Sequence, residues 1–311
     1  MDRIAFSNSY QSALLGILNA QDRQNTAQQQ YSTGKLASDL KGFAGSADQI
    51  TAARALQARV NNYVDTNTAL KDRLNVQDQS LSQVATVTQS ARQAIAEALA
   101  TGDATGLMTS LQGQLSQAAS TLNTQYNGQY LFAGGTTGQA PVTAQNLSDL
   151  TAAPGVPGVF KNGNTPTQSR LDDQTRITTG FTASSVGTPL FNALKSVEAF
   201  SQGGSGPLSG KLTTAQTTFL QGMLSTFDSA YQSVNDQVAQ NGLIQNQVDA
   251  SQTSLKARQT ALTTALGDLT NVDQAKAATD LQLAQTALQA SAQVFTSLKT
   301  VSLLNTLSSG A

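Results

Sequence analysis

Ala53, Leu56, Val60, Tyr63, Asn67, Leu70, Leu74, Gln77, Leu81, Val84, Thr88, Ala91, Ile95 and Ala98 follow one another at alternating spacings of three and four residues without a slip. An α-helix turns once every ~3.6 residues, so these positions share one face and form a coiled-coil seam. Ser46-Ala47-Asp48-Gln49 has the Ser-x-x-Gln form of a capping box at its start, and Gly102 can end it. The spacing therefore predicts a helix over 47–101, roughly 80 Å long at about 1.5 Å per residue. A shorter helix is predicted over 107–126, with Leu107, Leu111, Leu115, Ala118 and Leu122 on one face and Asn127-Gly128 at its end.

The pattern returns in the second half of the chain. Leu220, Leu224, Phe227, Tyr231, Val234, Val238, Asn241, Gln245, Val248, Gln252, Leu255, Gln259, Leu262, Leu266 and Leu269 keep the same spacing, behind a Thr213-x-x-Gln216 cap signal. A third seam follows at Ala277, Leu281, Ala284, Leu288, Ser291, Phe295 and Leu298. An apolar stripe must be buried against something, and two long seams on either side of an insertion pair most simply as an antiparallel hairpin.

What separates the seams is a change of composition. All six prolines (Pro141, Pro154, Pro157, Pro166, Pro189 and Pro207) and half of the 24 glycines lie in the middle of the chain. Both residues oppose long helices. Within this middle, 156–181 reads as short strands around turn signals, with Asp172-Asp173 in a turn, and helical spacing resumes over 190–200. The predicted architecture is mainly α. An elongated antiparallel coiled-coil or helical-bundle rod is formed by both arms, with a small β-containing middle domain inserted. The expected divisions are an assembly and export segment over 1–45, half-rods over 46–133 and 212–270, a β-rich variable domain over 134–211, and a C-terminal assembly helix over 271–311.

Composition excludes most chemistry. The chain has no Cys and no His, so thiolate nucleophiles, imidazole bases and the commonest zinc ligands are all missing. No enzyme activity and no cofactor are expected. A net charge of −1 without a basic block argues against nucleic acid as a partner. Membrane insertion is not expected either, because no run of about 18 apolar residues occurs. The N-terminal stretch interrupts its apolar run with Ser7, Asn8, Gln11 and Ser12, unlike a cleaved signal peptide. With 39% hydrophobic and 5% aromatic residues, narrow Ala/Leu seams fit the chain better than a broad globular core.

Some signals carry two readings. Asn67, Gln77, Asn241, Gln245, Gln252 and Gln259 sit in the seams, where a buried amide fixes register at a cost in stability and a solvated one does nothing. If Asn67 only fills the seam, Ile in its place should add about 1 kcal/mol. Asp172-Asp173 reads as a turn pair rather than as catalytic carboxylates. Ser209-Gly210-Lys211-Leu212 lacks the Ser or Thr that a phosphate loop needs after its Lys. The apolar groups at the termini, Leu14, Leu15, Leu18, Leu288, Phe295, Leu298, Leu303, Leu304 and Leu307, read as an assembly interface. The rod seam is expected at Leu56, Val60, Tyr63, Asn67, Leu70, Leu74, Leu81, Val84, Tyr231, Val234, Val238, Val248, Leu255 and Leu262.

Four segments carry a family resemblance. They are Tyr10-Gln11-Ser12-Ala13-Leu14 with Gln30-Tyr31-Ser32-Thr33-Gly34-Lys35; Tyr63-Val64-Asp65-Thr66-Asn67; Asn127-Gly128-Gln129-Tyr130-Leu131-Phe132-Ala133-Gly134-Gly135; and Leu269 to Asp273 with Ala287-Leu288-Gln289-Ala290-Ser291 and Ser302-Leu303-Leu304. Together they resemble the flagellin superfamily, and within it the hook-filament junction group of hook-associated proteins. Phe43-Ala44-Gly45-Ser46-Ala47-Asp48 departs from the acidic stretch that often follows the first turn, and the final Ser308-Ser309-Gly310-Ala311 matches neither junction proteins nor filament flagellins. The resemblance implies a secreted, extracellular subunit of the bacterial flagellum, exported unfolded by the type III apparatus with the help of a chaperone. It also implies a homo-oligomer in a helical ring, polymerising through its terminal helices between a neighbouring hook-associated protein and flagellin. A filament flagellin and an unrelated secreted surface binding module are the alternative readings.

Overall fold

The computed structural model describes residues 2–136, 138–152 and 154–308, with side chains described over 8–300 of these. The fold is mainly α. In chain order it comprises α1 (Asp2–Thr33), α2 (Ala47–Thr101), α3 (Leu107–Leu122), strands β1 (Gln125–Tyr126) and β2 (Gln129–Tyr130), α4 (Leu147–Thr151), strands β3 (Gln168–Arg170) and β4 (Arg176–Thr178), α5 (Ala183–Gln202), α6 (Thr214–Thr270) and α7 (Gln274–Ser308). Two compact units result, one of residues 1–59 and 258–311, the other of residues 60–257.

The long helices start and stop for local reasons. Ser46 does not begin α2 as a cap; it is the last residue of a 3-10 turn, Leu40–Ser46, that runs straight into the helix. Gly102 ends α2 in the left-handed conformation that suits a residue without Cβ, and the Asp103 N–H reaches back to the Ala98 carbonyl at 3.1 Å. At the start of α6 the cap is reciprocal. Gln216 N–H donates to Thr213 Oγ1 at 3.3 Å, and Thr213 N–H donates to Gln216 Oε1 at 3.0 Å.

In the unit of residues 60–257, partners on α2 and α6 run in opposite numerical directions. Thr68 meets Gln252, Lys71 meets Asp249, Gln77 meets Asn241 and Arg92 meets Asp228, so the two segments pack antiparallel. Val60, Leu70, Leu74, Leu81 and Val84 are buried on α2, as are Val234, Val248 and Leu255 on α6; Tyr63, Tyr231 and Val238 are half-buried. In the other unit Leu262 is half-buried and Leu56 is 42% exposed. Near Leu56 the inward stripe of α2 is instead Ile50, Ala53 and Gln57, and Gln57 Nε2 donates to Thr263 Oγ1 at 3.0 Å. Counting heptads backwards from Val60 allows either Leu56 or Gln57, and the polar contact takes the second.

The middle segment packs into the same core as the helix pair. Leu111 and Leu115 of α3, Phe132, Leu150, and Leu190, Phe191, Leu194 and Val197 of α5 join Leu81, Ile95, Leu220 and Phe227 in one continuous apolar cluster. Three sequence readings change here. Helix α3 stops at Leu122, because the Asn123 side chain pairs with both backbone groups of Val142, each at 2.9 Å. Asn127-Gly128, both at positive φ, then make a two-residue hairpin turn between β1 and β2. Helix α5 begins at Ala183, not at 190, and runs through Pro189. Proline supplies no N–H to the carbonyl four residues back. That carbonyl, of Ser185, accepts from Gln237 Nε2 of α6 at 2.8 Å.

The seam amides are the main connection between the helix pair and the β3–β4 hairpin. Asn67, with no exposed surface, donates to the Leu171 carbonyl at 3.2 Å and to Ser251 Oγ at 3.4 Å. Gln77, equally buried, donates to the Thr179 carbonyl at 3.0 Å and to Asn241 Oδ1 at 2.8 Å. Asn241 in turn donates to the Leu74 carbonyl and to Asp78. Ten residues of helix separate the two α2 amides by about 15 Å, close to the length of the hairpin they hold. The hairpin tip is tied beyond them, where Tyr63 Oη donates to Asp173 Oδ1 at 3.0 Å and Asp172 accepts from the Gln174 and Thr175 N–H groups.

Asn67 therefore has partners that an isoleucine would abandon in a buried site. Asn67→Ile should destabilise the protein by about 1–3 kcal/mol, the cost of leaving a buried carbonyl unpaired, and not stabilise it. Urea titration followed by circular dichroism measures this, and a raised midpoint would show that the Leu171 bond contributes nothing. Because this core is built entirely from residues 60–257, a chain lacking residues 1–45 and 271–311 should keep cooperative melting and high helical content. A gradual thermal transition in that fragment would contradict this.

Candidate assembly surface

In the unit formed by residues 1–59 and 258–311, α1 and α7 pack against each other antiparallel. Near one end Tyr10 meets Phe295, with ring centroids 4.7 Å apart, and near the other Lys35 pairs with Asn271. The inward stripe of α1 is Ala13, Gly16, Ile17, Ala20, Gln24 and Ala27, of which Ala20 and Ala27 are buried. Opposite, Ala277 and Ala284 are buried, while Leu281, Leu288, Ser291, Phe295 and Leu298 are half-buried. Small residues repeating every seven positions let two helices approach closely, at the cost of little buried apolar area.

A clasp closes this pair where the turns meet. Gly34, at positive φ, ends α1. The Leu36 N–H donates to the Thr270 carbonyl at 2.8 Å and the Val272 N–H to the Gly34 carbonyl at 3.0 Å. Lys35 Nζ adds a 2.6 Å bond to Asn271 Oδ1, and Gln30 Nε2 holds the Leu36 carbonyl at 2.9 Å. Ser32-Thr33-Gly34-Lys35 is thus a turn that binds a second turn far along the chain.

The terminal apolar residues fall into two groups. Leu288, Phe295 and Leu298 are on the side of α7 that faces α1 and are half-buried within the chain. Leu14, Leu15 and Leu18 lie on the outside of α1, at 44%, 59% and 48% exposure. The side chains of Leu303, Leu304 and Leu307 lie outside the described residues. Two further exposed apolar residues, Leu283 and Val294 on α7, are off the seam and were not picked out by its spacing. Their signal in the sequence is that α7 carries more apolar positions than one stripe can hold. Fully covering one such leucine stabilises an assembly by roughly 1.5–3 kcal/mol, so several in line can hold subunits together. A shallow groove of about 630 Å3 between Asp22, Arg23, Ala27 and Leu283, Ala284, Ala287 adjoins this face.

Among the described residues no three metal-ligating side chains gather, and no helix is long and apolar enough to cross a membrane.

The segments that form this surface are also those with known counterparts. Residues 4–137 match the bacterial flagellin N-terminal helical region, and residues 224–307 match the bacterial flagellin C-terminal helical region. The chain belongs to the flagellin superfamily. Its fold resembles solved structures of flagellar proteins at low identity. A protein described as a flagellar hook-associated protein of Vibrio parahaemolyticus superposes with a TM-score of 0.58 at 17% identity, covering 75% of this chain and 99% of that one. FlgL of Bacillus cereus gives 0.54 at 17% identity, and FlgL of Xanthomonas campestris 0.54 at 12%, each covering 70% of this chain and 99% of theirs. No curated protein sequence matches significantly. In this flagellin-family chain the buried Leu131, Phe132 and Ala133 of the matched N-terminal region link α3 to the start of α5, through the Phe132 carbonyl and Ala183 N–H at 2.8 Å.

The double substitution Leu14→Asp with Leu18→Asp should leave the helical content of the monomer unchanged, since neither side chain is buried in the chain. It should abolish ordered self-association. Light scattering of variant and wild type at rising protein concentration checks the second point, and equal association of the two would remove Leu14 and Leu18 from the candidate surface.

Proposed function

We propose that this flagellin-family protein is the structural adaptor that joins hook to filament in the bacterial flagellum. The observation that carries the reading is the division of labour in the α1–α7 pair. Alanines and a few half-buried larger residues close the pair internally, while Leu14, Leu15, Leu18, Leu283 and Val294 remain exposed for neighbouring molecules. That arrangement suits a subunit whose helices are completed by its neighbours in a ring or tube. The adaptor role, as distinct from the filament itself, is favoured by the hook-associated proteins it resembles in fold, almost the whole of which its chain covers. In this reading the chain leaves the cell unfolded through the flagellar type III apparatus, escorted by a chaperone, and acts extracellularly between a hook-associated protein and flagellin. A cysteine-free chain of low hydrophobicity suits such a passage.

A second reading, filament flagellin, is favoured by the family models themselves, which describe flagellin. The two differ in what their loss does. An adaptor provides the template on which flagellin polymerises, so cells without it should be non-motile, carry hooks, and release monomeric flagellin into the medium. Immunoblots of the culture supernatant together with electron microscopy of the cell surface give the answer. Normal filaments in the deletion strain would reject the adaptor reading, and bare hooks without flagellin outside would favour the filament subunit.

A further inference from the structure

Beside α2, in the unit of residues 60–257, a pocket of about 270 Å3 is walled by Thr66 and Arg73 of α2, by Tyr126, Gln129 and Tyr130 of the β1–β2 hairpin, and by Ser169 of β3. Arg73 is half-buried, and burial lowers the pKa of its guanidinium by removing hydration. A guanidinium has five N–H donors, and a partly desolvated one is normally met by a carboxylate. Among the described residues Arg73 makes one long bond, from Nη2 to Thr167 Oγ1 at 3.4 Å. Lys71 and Arg170 do meet carboxylates, of Asp249 and Asp173, and Arg170 also lies over the Tyr63 ring. The Tyr126 and Tyr130 hydroxyls likewise have no hydrogen-bond partner among the described residues. Three side chains with unused donors therefore border one cleft whose remaining walls are neutral.

We propose that this cleft is a binding site for a carboxylate, held by the Arg73 fork between the two tyrosines. Guanidinium and carboxylate are both planar and match in two parallel N–H to O bonds, which gives the site selectivity over spherical anions. The volume admits a short carboxylate chain, either a free small acid or the acidic side chain of a neighbouring copy of this protein.

Glutarate is a suitable probe on the full chain, kept monomeric at low concentration. Melting temperature should rise with glutarate and saturate, beyond the effect of sodium chloride at equal ionic strength. The rise should disappear in Arg73→Gln and be much reduced in Arg73→Lys, whose ammonium lacks the fork. Arg92→Gln, which removes a different cation from the same helix, should keep it. Should Arg73→Gln fail to fold, the lysine variant and the shift of the Arg73 Nε resonance on titration carry the test alone. An absent or unsaturable response in the wild type overturns the proposal, as does an equal response in the Arg73 variants. Given binding, glutarate that slows self-association of the wild type identifies a neighbouring copy's side chain as the occupant. Glutarate that binds without that effect identifies a free acid.

Discussion

A buried amide that lacks a partner costs more than most single contacts contribute, and this constraint organises the larger unit. Asn67, Gln77 and Asn241 lie wholly inside the α2–α6 contact, where apolar residues would pack without further requirements. The NH2 group of each finds a carbonyl, of Leu171, Thr179 and Leu74, although Asn67 Oδ1 and Gln77 Oε1 stay buried without a partner among the described residues. Two of these carbonyls lie at the ends of the β3–β4 hairpin. The helix pair thereby accepts one segment at one height, and the hairpin shields the amides from water in return. The three-residue strands could not persist on their own.

The smaller unit obeys a different limit. Its α1–α7 contact buries only alanines, Ala20, Ala27, Ala277 and Ala284, and leaves Ile17, Leu281, Leu288, Phe295 and Leu298 half-buried, so it covers little apolar surface completely. Leu14, Leu15 and Leu18 of α1 lie outside that contact. A surface of this kind is unfavourable for an isolated molecule and favourable for one that meets copies of itself, and the near-zero net charge adds little repulsion to oppose contact.

Much of the helical framework was legible in the sequence because it depends on local repetition. The boundaries of α2 over 47–101 follow from the seam and from Gly102, and α6 follows its Thr213-x-x-Gln216 cap. The departures arise where a distant residue decides. Pro189 reads as a barrier until Gln237 is placed beside Ser185. Leu56 reads as part of the seam until Gln57 is seen facing Thr263. Asn123, which ends α3 early, does so by binding Val142, a pairing no periodicity encodes. In the assembly surface, Leu14, Leu15 and Leu18 were visible as a cluster, but their separation from Leu288, Phe295 and Leu298 depends on which side of each helix faces the other.

The bond from Gln237 to the Ser185 carbonyl has an evolutionary consequence. Proline at 189 is tolerated because a glutamine from another helix stands in for its missing backbone donor. Sequence drift at either site is then conditional on the other. Without the proline the glutamine has no such carbonyl to serve, and with the proline its loss leaves the exposed Ser185 carbonyl to water. Positions 189 and 237, nearly fifty residues apart in the chain, are thereby coupled, and a change at one alters what the other contributes.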